Sequence, residues 1–227
     1  MTTGTVLVTG GASGLGAAVV EAVNDQGGRP VVLDRVVPAH AADHEIVDLS
    51  DTRAAERAVQ TLSFRSGGLD AVVTCAGTDA CGRLEDVPAE EWEKVVQVNL
   101  LGTVAVVRAA LPELISRRGK VVTVASTLGF RALSDASAYC ASKFGVVGFT
   151  RALAAETQGR LGVTMLVPGG MDTAFFDGRD EQYRPPQDLK LNDPAAVARA
   201  VLFALDQPVG CEVRELVITP SIEGSWP

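Results

Sequence analysis

Near-continuous apolar, β-branched runs recur along the chain at residues 5–8, 31–33, 71–74, 121–124, 163–167 and 216–219, with a weaker one at 45–47. None alternates cleanly with polar residues, which is the pattern of strands covered on both faces, as in a parallel sheet. Longer amphipathic segments lie between them, at 15–26, 52–65, 90–118, 137–158 and 195–205. Regular alternation of strand and helix predicts an α/β fold: a Rossmann-type, doubly wound parallel sheet of about seven strands with helices on both faces. Pro88 precedes the helix through Trp92, and Pro112 inside the 90–118 segment predicts a bend or restart there. No linker, charge block or repeat divides the chain, so residues 1–227 are expected to form a single domain. Residues 171–193 are the least regular stretch and are expected to form a flap near a site.

The turn Thr9-Gly10-Gly11-Ala12-Ser13-Gly14-Leu15-Gly16 lies between the first strand and the first helix. Backbone without side chains can approach a pyrophosphate closely, and the helix N-terminus offers it unpaired N–H groups. Gly10, Ser13, Gly14, Leu15 and Gly16 are therefore candidate dinucleotide-binding residues. Asp34 ends the second strand, 18 positions after Gly16, where a carboxylate accepts from ribose hydroxyls. It would repel a 2′-phosphate, which favours NAD over NADP; Arg35 next to it is the feature that would admit NADP. Asp48 and Leu49 follow the third strand, placed to bond the adenine amine and cover the ring face. Capping of the next helix by Asp48 is the alternative.

Downstream come Asn99, Ser126 and Tyr-x-x-x-Lys at Tyr139 and Lys143. The last two lie one helical turn apart and share a face. An ammonium beside the phenol, with a cationic nicotinamide, would ease formation of the phenolate. Ser126 could donate to the same substrate oxygen, and Lys143 could hold the nicotinamide ribose. Glycine turn and tetrad in this order point to hydride chemistry.

The formal net charge of −8 disfavours nucleic acid and anionic membrane as partners. Lacking a leader pattern and any uninterrupted apolar run of membrane-spanning length, the chain is expected to be cytoplasmic. Cys75, Cys81, Cys140 and Cys211 are widely spaced, which favours free thiols. His40 and His44 lie four apart in an Ala- and Asp-rich stretch read as a surface loop, so no metal site is expected.

With these motifs the chain resembles the short-chain dehydrogenase/reductase family over nearly its whole length. Thr9 to Gly16 matches the family's T-G-x-x-x-G-x-G, Cys75-Ala76-Gly77 its N-A-G, and Asn99, Ser126, Tyr139 and Lys143 its catalytic set. Pro168-Gly169 and Thr173 match the segment that meets the nicotinamide carboxamide, so the resemblance adds Ala76, Gly77, Pro168, Gly169 and Thr173 to the cofactor residues. It also implies a water held by Asn99 in a proton relay from Lys143, and a homodimer or homotetramer formed through the helices starting near Glu90 and Ser137. Cys75 departs from the pattern, replacing an asparagine that ties strands together. The flap and the C-terminal tail are short for the family, which predicts a comparatively open substrate site.

The reading is an NAD(H)-dependent oxidoreductase interconverting a secondary alcohol and a ketone, with Tyr139 as acid/base. An NADPH-dependent carbonyl reductase of the 3-oxoacyl type and a non-catalytic dinucleotide sensor are the alternatives. Phe175, Phe176 and Tyr183 fit an apolar or ring-containing substrate; Arg179, Arg184 and Lys190 fit an anionic one. Leu128, Leu133 and Gly170 are candidate pocket neighbours.

Overall fold

Val6 and Val8 face one hydrophobic core while Leu7, between them, faces another. This is why the runs lack polar alternation: both faces of the sheet are buried. The computed structural model describes residues 4–186 and 188–226. The leader expectation at residues 1–3 and position 187 of the flap lie outside the described residues.

The sheet comprises β1 (Thr5–Thr9), β2 (Arg29–Asp34), β3 (Asp43–Ile46), β4 (Ala71–Thr74), β5 (Lys120–Val124), β6 (Gly162–Pro168) and β7 (Glu215–Ile218). All pairings are parallel, in the spatial order β3-β2-β1-β4-β5-β6-β7. Val8 of β1 pairs with Val32 of β2 on one side and Val73 of β4 on the other. The order reverses there, so a crevice opens at the carboxyl ends of β1 and β4. Helices α1 (Gly14–Asp25) and α6 (Pro194–Leu205) cover the Val6/Val8 face; α2 (Thr52–Ser66) and α4 (Thr103–Arg117) cover the Leu7 face.

β3 is the polar edge. It starts at Asp43, so His44 lies on a strand rather than in the expected loop. Arg65 of α2 ties the edge down by pairing with Asp43 and Glu45.

Two local expectations are corrected. α3 (Ala89–Val96) runs into a π-helical turn at Gln97–Gly102 before α4, and α4 continues through Pro112. Pro112 and Arg108, the residue whose carbonyl loses its N–H partner, are both exposed, so water can serve that carbonyl. The cap of α2 is Asp51, which accepts from the N–H groups of Arg53 and Ala54 at 3.0 and 2.9 Å. Asp48 accepts from Ser50 N–H instead.

The helical run Ala89–Arg117 is long and apolar enough to cross a membrane by length and composition, although polar residues such as Gln97, Asn99 and Arg108 interrupt it. Its Val106, Val107, Ala110 and Leu114 are buried in the protein's own core.

Candidate active site

Thr9 closes β1, and its hydroxyl accepts from Ala76 N–H at 3.1 Å, tying the glycine turn to the loop after β4. Gly10 has φ +69°, and a Cβ there would come within 2.8 Å of the Ala76 Cα. A Cβ on Gly16 would overlap the Gly10 carbonyl. The turn can thus fold tightly only as glycine. Ser13 caps α1 with extended backbone and no side-chain hydrogen bond, and no acidic residue occupies the first turn. The positive end of α1 therefore meets the crevice uncompensated. Leu15 is buried in the core, so it offers the crevice backbone only. A tight glycine turn, an uncapped helix end and the switch point between β1 and β4 together fit a dinucleotide pyrophosphate.

Asp34 stands at the carboxyl end of β2, two strands into this edge. Its carboxylate accepts from Ala12 N–H at 2.9 Å, Arg35 N–H at 2.6 Å and Val36 N–H at 3.2 Å, which fixes its orientation against the glycine turn. Arg35 is exposed. The Asp48 carboxyl is held below the usual range, first by the Ser50 N–H and also by Lys94 and Arg35 nearby. Leu49 is only 5 % exposed and packs in the core against Gly102, so the ring-covering side chain expected of it is turned inward.

Ser126 follows β5, and its Oγ accepts from Leu128 N–H at 3.1 Å. The hydroxyl is also close enough to the phenol of Tyr139, on the first turns of α5 (Ser137–Glu156), to favour the phenolate. Burial dominates both ionisations here: it pushes the Tyr139 phenol up to about 12 and the Lys143 ammonium down to about 8. Lys143 Nζ donates to the Val124 carbonyl at 2.9 Å and lies 5.5 Å from the Tyr139 ring centroid. Gly77 runs beside it: a Cβ there would be 3.9 Å from Lys143 Nζ and 3.5 Å from Asn99 Oδ1.

Asn99 sits in the π-helical turn and is 1 % exposed. Its amide donates to the Thr78 carbonyl at 2.9 Å and to Ser142 Oγ at 3.0 Å, while its Oδ1 accepts from Thr78 N–H at 2.8 Å. The side chain thus holds the loop after β4 to α5. Cys75, at the departure from the family pattern, has its thiol pushed up to about 12 by burial and packs with the apolar core.

The flap lies against the catalytic helix. Met171 bridges Asn192 at its base, and the Phe175 ring lies 5.7 Å from that of Tyr139. Thr173 comes within 3.5 Å of where a Gly14 Cβ would be, bringing the start of the flap to the end of α1. Gly169 N–H donates to the Ile218 carbonyl at 2.9 Å, fixing the turn after Pro168. Leu133 is exposed, and Lys190 likewise.

Sequence reasoning missed three groups. Asp79 pairs with Arg179 of the flap at 2.9 Å. Ser142 supports Asn99 from α5. The tail folds back across the strand ends: Glu223 accepts from Gly170 N–H at 3.1 Å, Ser225 Oγ lies 2.6 Å from Thr127 Oγ1, and Trp226 meets Phe130 edge-on at 5.6 Å. The contacts between Asp79 and Arg179 and along the tail span long sequence separations that leave no local pattern; Ser142 had the signal of a polar residue on the buried face of its helix.

Residues 4–184 match the short chain dehydrogenase family. The chain is 31% identical over 226 residues to an uncharacterized oxidoreductase of Staphylococcus aureus, covering 94% of this chain and 96% of the relative. It is 30% identical to L-fucose dehydrogenase of Mus musculus, covering 96% and 88%. Among solved structures it resembles an alcohol dehydrogenase from Thermococcus sibiricus complexed with 5-hydroxy-NADP, with TM-score 0.84, 26% identity and coverage of 94% and 95%.

Proposed function

The chain belongs to the short chain dehydrogenase family, and within it we propose an NAD(H)-dependent enzyme that interconverts a secondary alcohol and a ketone with Tyr139 as acid/base. It is an oxidoreductase acting on CH–OH donors with a nicotinamide dinucleotide. The observation that carries the finer reading is the convergence of Ser126, Tyr139 and Lys143 beside the glycine turn, with Lys143 Nζ 5.5 Å from the Tyr139 ring centroid and the Ser126 hydroxyl near the phenol.

The dinucleotide, when bound, supplies the hydride acceptor or donor. Gly10, Gly14 and Gly16 with the end of α1 would hold its pyrophosphate, Asp34 its adenosine ribose, and Thr173 with Pro168 and Gly169 its carboxamide. Ser126 would orient the reacting oxygen. Tyr139, a neutral phenol at neutral pH that burial raises further, to about 12, is set to give its proton to a carbonyl oxygen. In alcohol oxidation the phenolate must form, and a cation beside it is what lowers that cost. Lys143, reduced to about 8 by burial, still carries its proton near neutrality and would reach the ribose once released from Val124. Asn99 would serve the relay by holding the Thr78 backbone in place.

Asp34 supports NAD(H): its carboxylate, held by the Ala12 and Arg35 N–H groups at the end of β2, would repel a ribose 2′-phosphate. Exposed Arg35 favours NADP(H). Parallel titrations with NADH and NADPH decide: tighter NADH binding is expected, and tighter NADPH binding would transfer the reading to the reductase alternative. The named mouse relative puts aldoses early in a substrate screen. A cytoplasmic homo-oligomer belongs to the same proposal, supported by exposed Leu101 and Phe144 on the two helical elements expected to pair.

A further inference from the structure

Arg179 is the flap's inward-facing cation, and its charge is already met. Its Nη2 lies 2.9 Å from Asp79 Oδ2, and the two side chains are 15% and 9% exposed, the most enclosed ion pair among the described residues. The guanidinium stacks over Phe175 and Phe176, at 4.8 and 4.7 Å from their centroids. Phe175 in turn rests on Tyr139 at 5.7 Å. The pair is therefore separated from the reacting phenol by a single ring. Both charges reach the catalytic groups: Asp79 and Arg179 act on Tyr139 in opposite directions, and Asp79 acts on Lys143.

Asp79 is held from its own side as well, accepting from Ala80 N–H at 2.8 Å and from the Cys81 thiol. The Arg179 carbonyl accepts from Arg184 Nε at 2.7 Å. Each partner is thus anchored before substrate arrives. An anionic group beside this pair gains little from an already neutralised guanidinium and is repelled by the fixed carboxylate. A neutral hydroxylated molecule meets no such repulsion.

We propose that the Asp79–Arg179 pair is a charge-selecting element that restricts the site to uncharged alcohols and ketones. Asp79 is the determinant: with it neutral, Arg179 becomes a free cation on the flap and the site accepts carboxylate-bearing substrates. The inference rests on the alcohol–ketone reading of the site.

The test compares matched probes that differ by one charge: galactose with galacturonate, 3-hydroxybutyramide with 3-hydroxybutyrate, and lactamide with lactate. The wild-type protein is expected to favour the neutral member at least tenfold in kcat/KM in each pair that it turns over. Asp79→Asn should shift that ratio toward the anion by at least tenfold. Arg179→Gln, which leaves Asp79 unpaired, should shift it the other way and guards against misfolding of the first variant. A merely structural pair would lower both members together and leave the ratio fixed. A fixed ratio, or a wild-type preference for the carboxylates, overturns the inference while leaving the reading intact. Turnover of no probe by protein that still binds NADH overturns the alcohol–ketone reading, and this inference with it.

Discussion

Lys143 Nζ donates to the Val124 carbonyl at 2.9 Å while lying 5.5 Å from the centroid of the Tyr139 ring. It therefore rests at the end of β5, 4 % exposed, with its charge paid for by backbone and aromatic ring rather than by a carboxylate in direct contact. That cost has a definite pH signature. Burial lowers the ammonium from its ordinary range to about 8, so between pH 8 and the usual lysine range the folded protein binds fewer protons than the unfolded chain. Stability rises with pH through that window. Lys143→Met should raise stability near pH 7 by up to about 3 kcal/mol, the cost of holding a charged ammonium whose titration burial has lowered to about 8. The gain should fade as pH rises from 8 to 10. Thermal or urea melts of both proteins across that range check it; a pH-independent difference would show that the ammonium is not strained in place.

Tyr139 is displaced the opposite way, up to about 12. Its removal leaves the glycine turn and Asp34 untouched, since Thr9 and Ala76 hold the turn and backbone N–H groups of Ala12 and Arg35 hold Asp34. Tyr139→Phe should lower turnover by about 10²- to 10⁴-fold while changing the NADH dissociation constant by less than about threefold, well under the 1.4 kcal/mol of a tenfold change. Single-turnover rates and nicotinamide fluorescence titrations separate the two. Unchanged turnover would remove Tyr139 from the acid/base role.

Asp34 accepts from the backbone of the turn through Ala12, and in the proposed function it would also accept from the adenosine ribose. Asp34→Ala should weaken NADH binding about tenfold or more and narrow the preference over NADPH, because the group that repels a 2′-phosphate is gone. Paired titrations with both dinucleotides read the ratio. An unchanged ratio with weaker binding overall would mean that the carboxylate only holds the turn.

The central strands were legible because they are apolar on both faces, and the seven runs appear as seven strands within two residues of their expected limits. The glycine turn was legible for the same kind of reason, since its positive φ at Gly10 and Gly14 and its close approaches leave a local trace. Local exceptions were not. Pro112 signals a break, yet its exposed position lets α4 pass through it, and the real interruption at Gln97–Gly102 carries no proline or glycine until its last residue. Asp48 and Asp51 are equally good caps by composition; only the path of the turn selects Asp51. The pairing of Asp79 with Arg179 spans the whole catalytic segment, and the fold of the flap alone brings them together.

Asn99 shows how tightly that fold is cross-braced. Its side chain meets both backbone groups of Thr78 and the hydroxyl of Ser142, and Ser142 Oγ donates to the Tyr139 carbonyl at 2.8 Å. Thr78 precedes Asp79, so the same bonds position the partner of Arg179. Asn99→Ala would strand the half-buried Thr78 N–H and carbonyl, and should cost about 1–3 kcal/mol of stability. Ser142→Ala removes one acceptor of the network and should cost about 1 kcal/mol. Because the two side chains share a bond, the double variant should cost less than the two singles combined, by about 0.5 kcal/mol or more. Urea denaturation of the four proteins closes the cycle. Additive losses would mean that Asn99 braces the loop independently of α5, and the link from Tyr139's helix to the Asp79 loop would then have to run through other contacts.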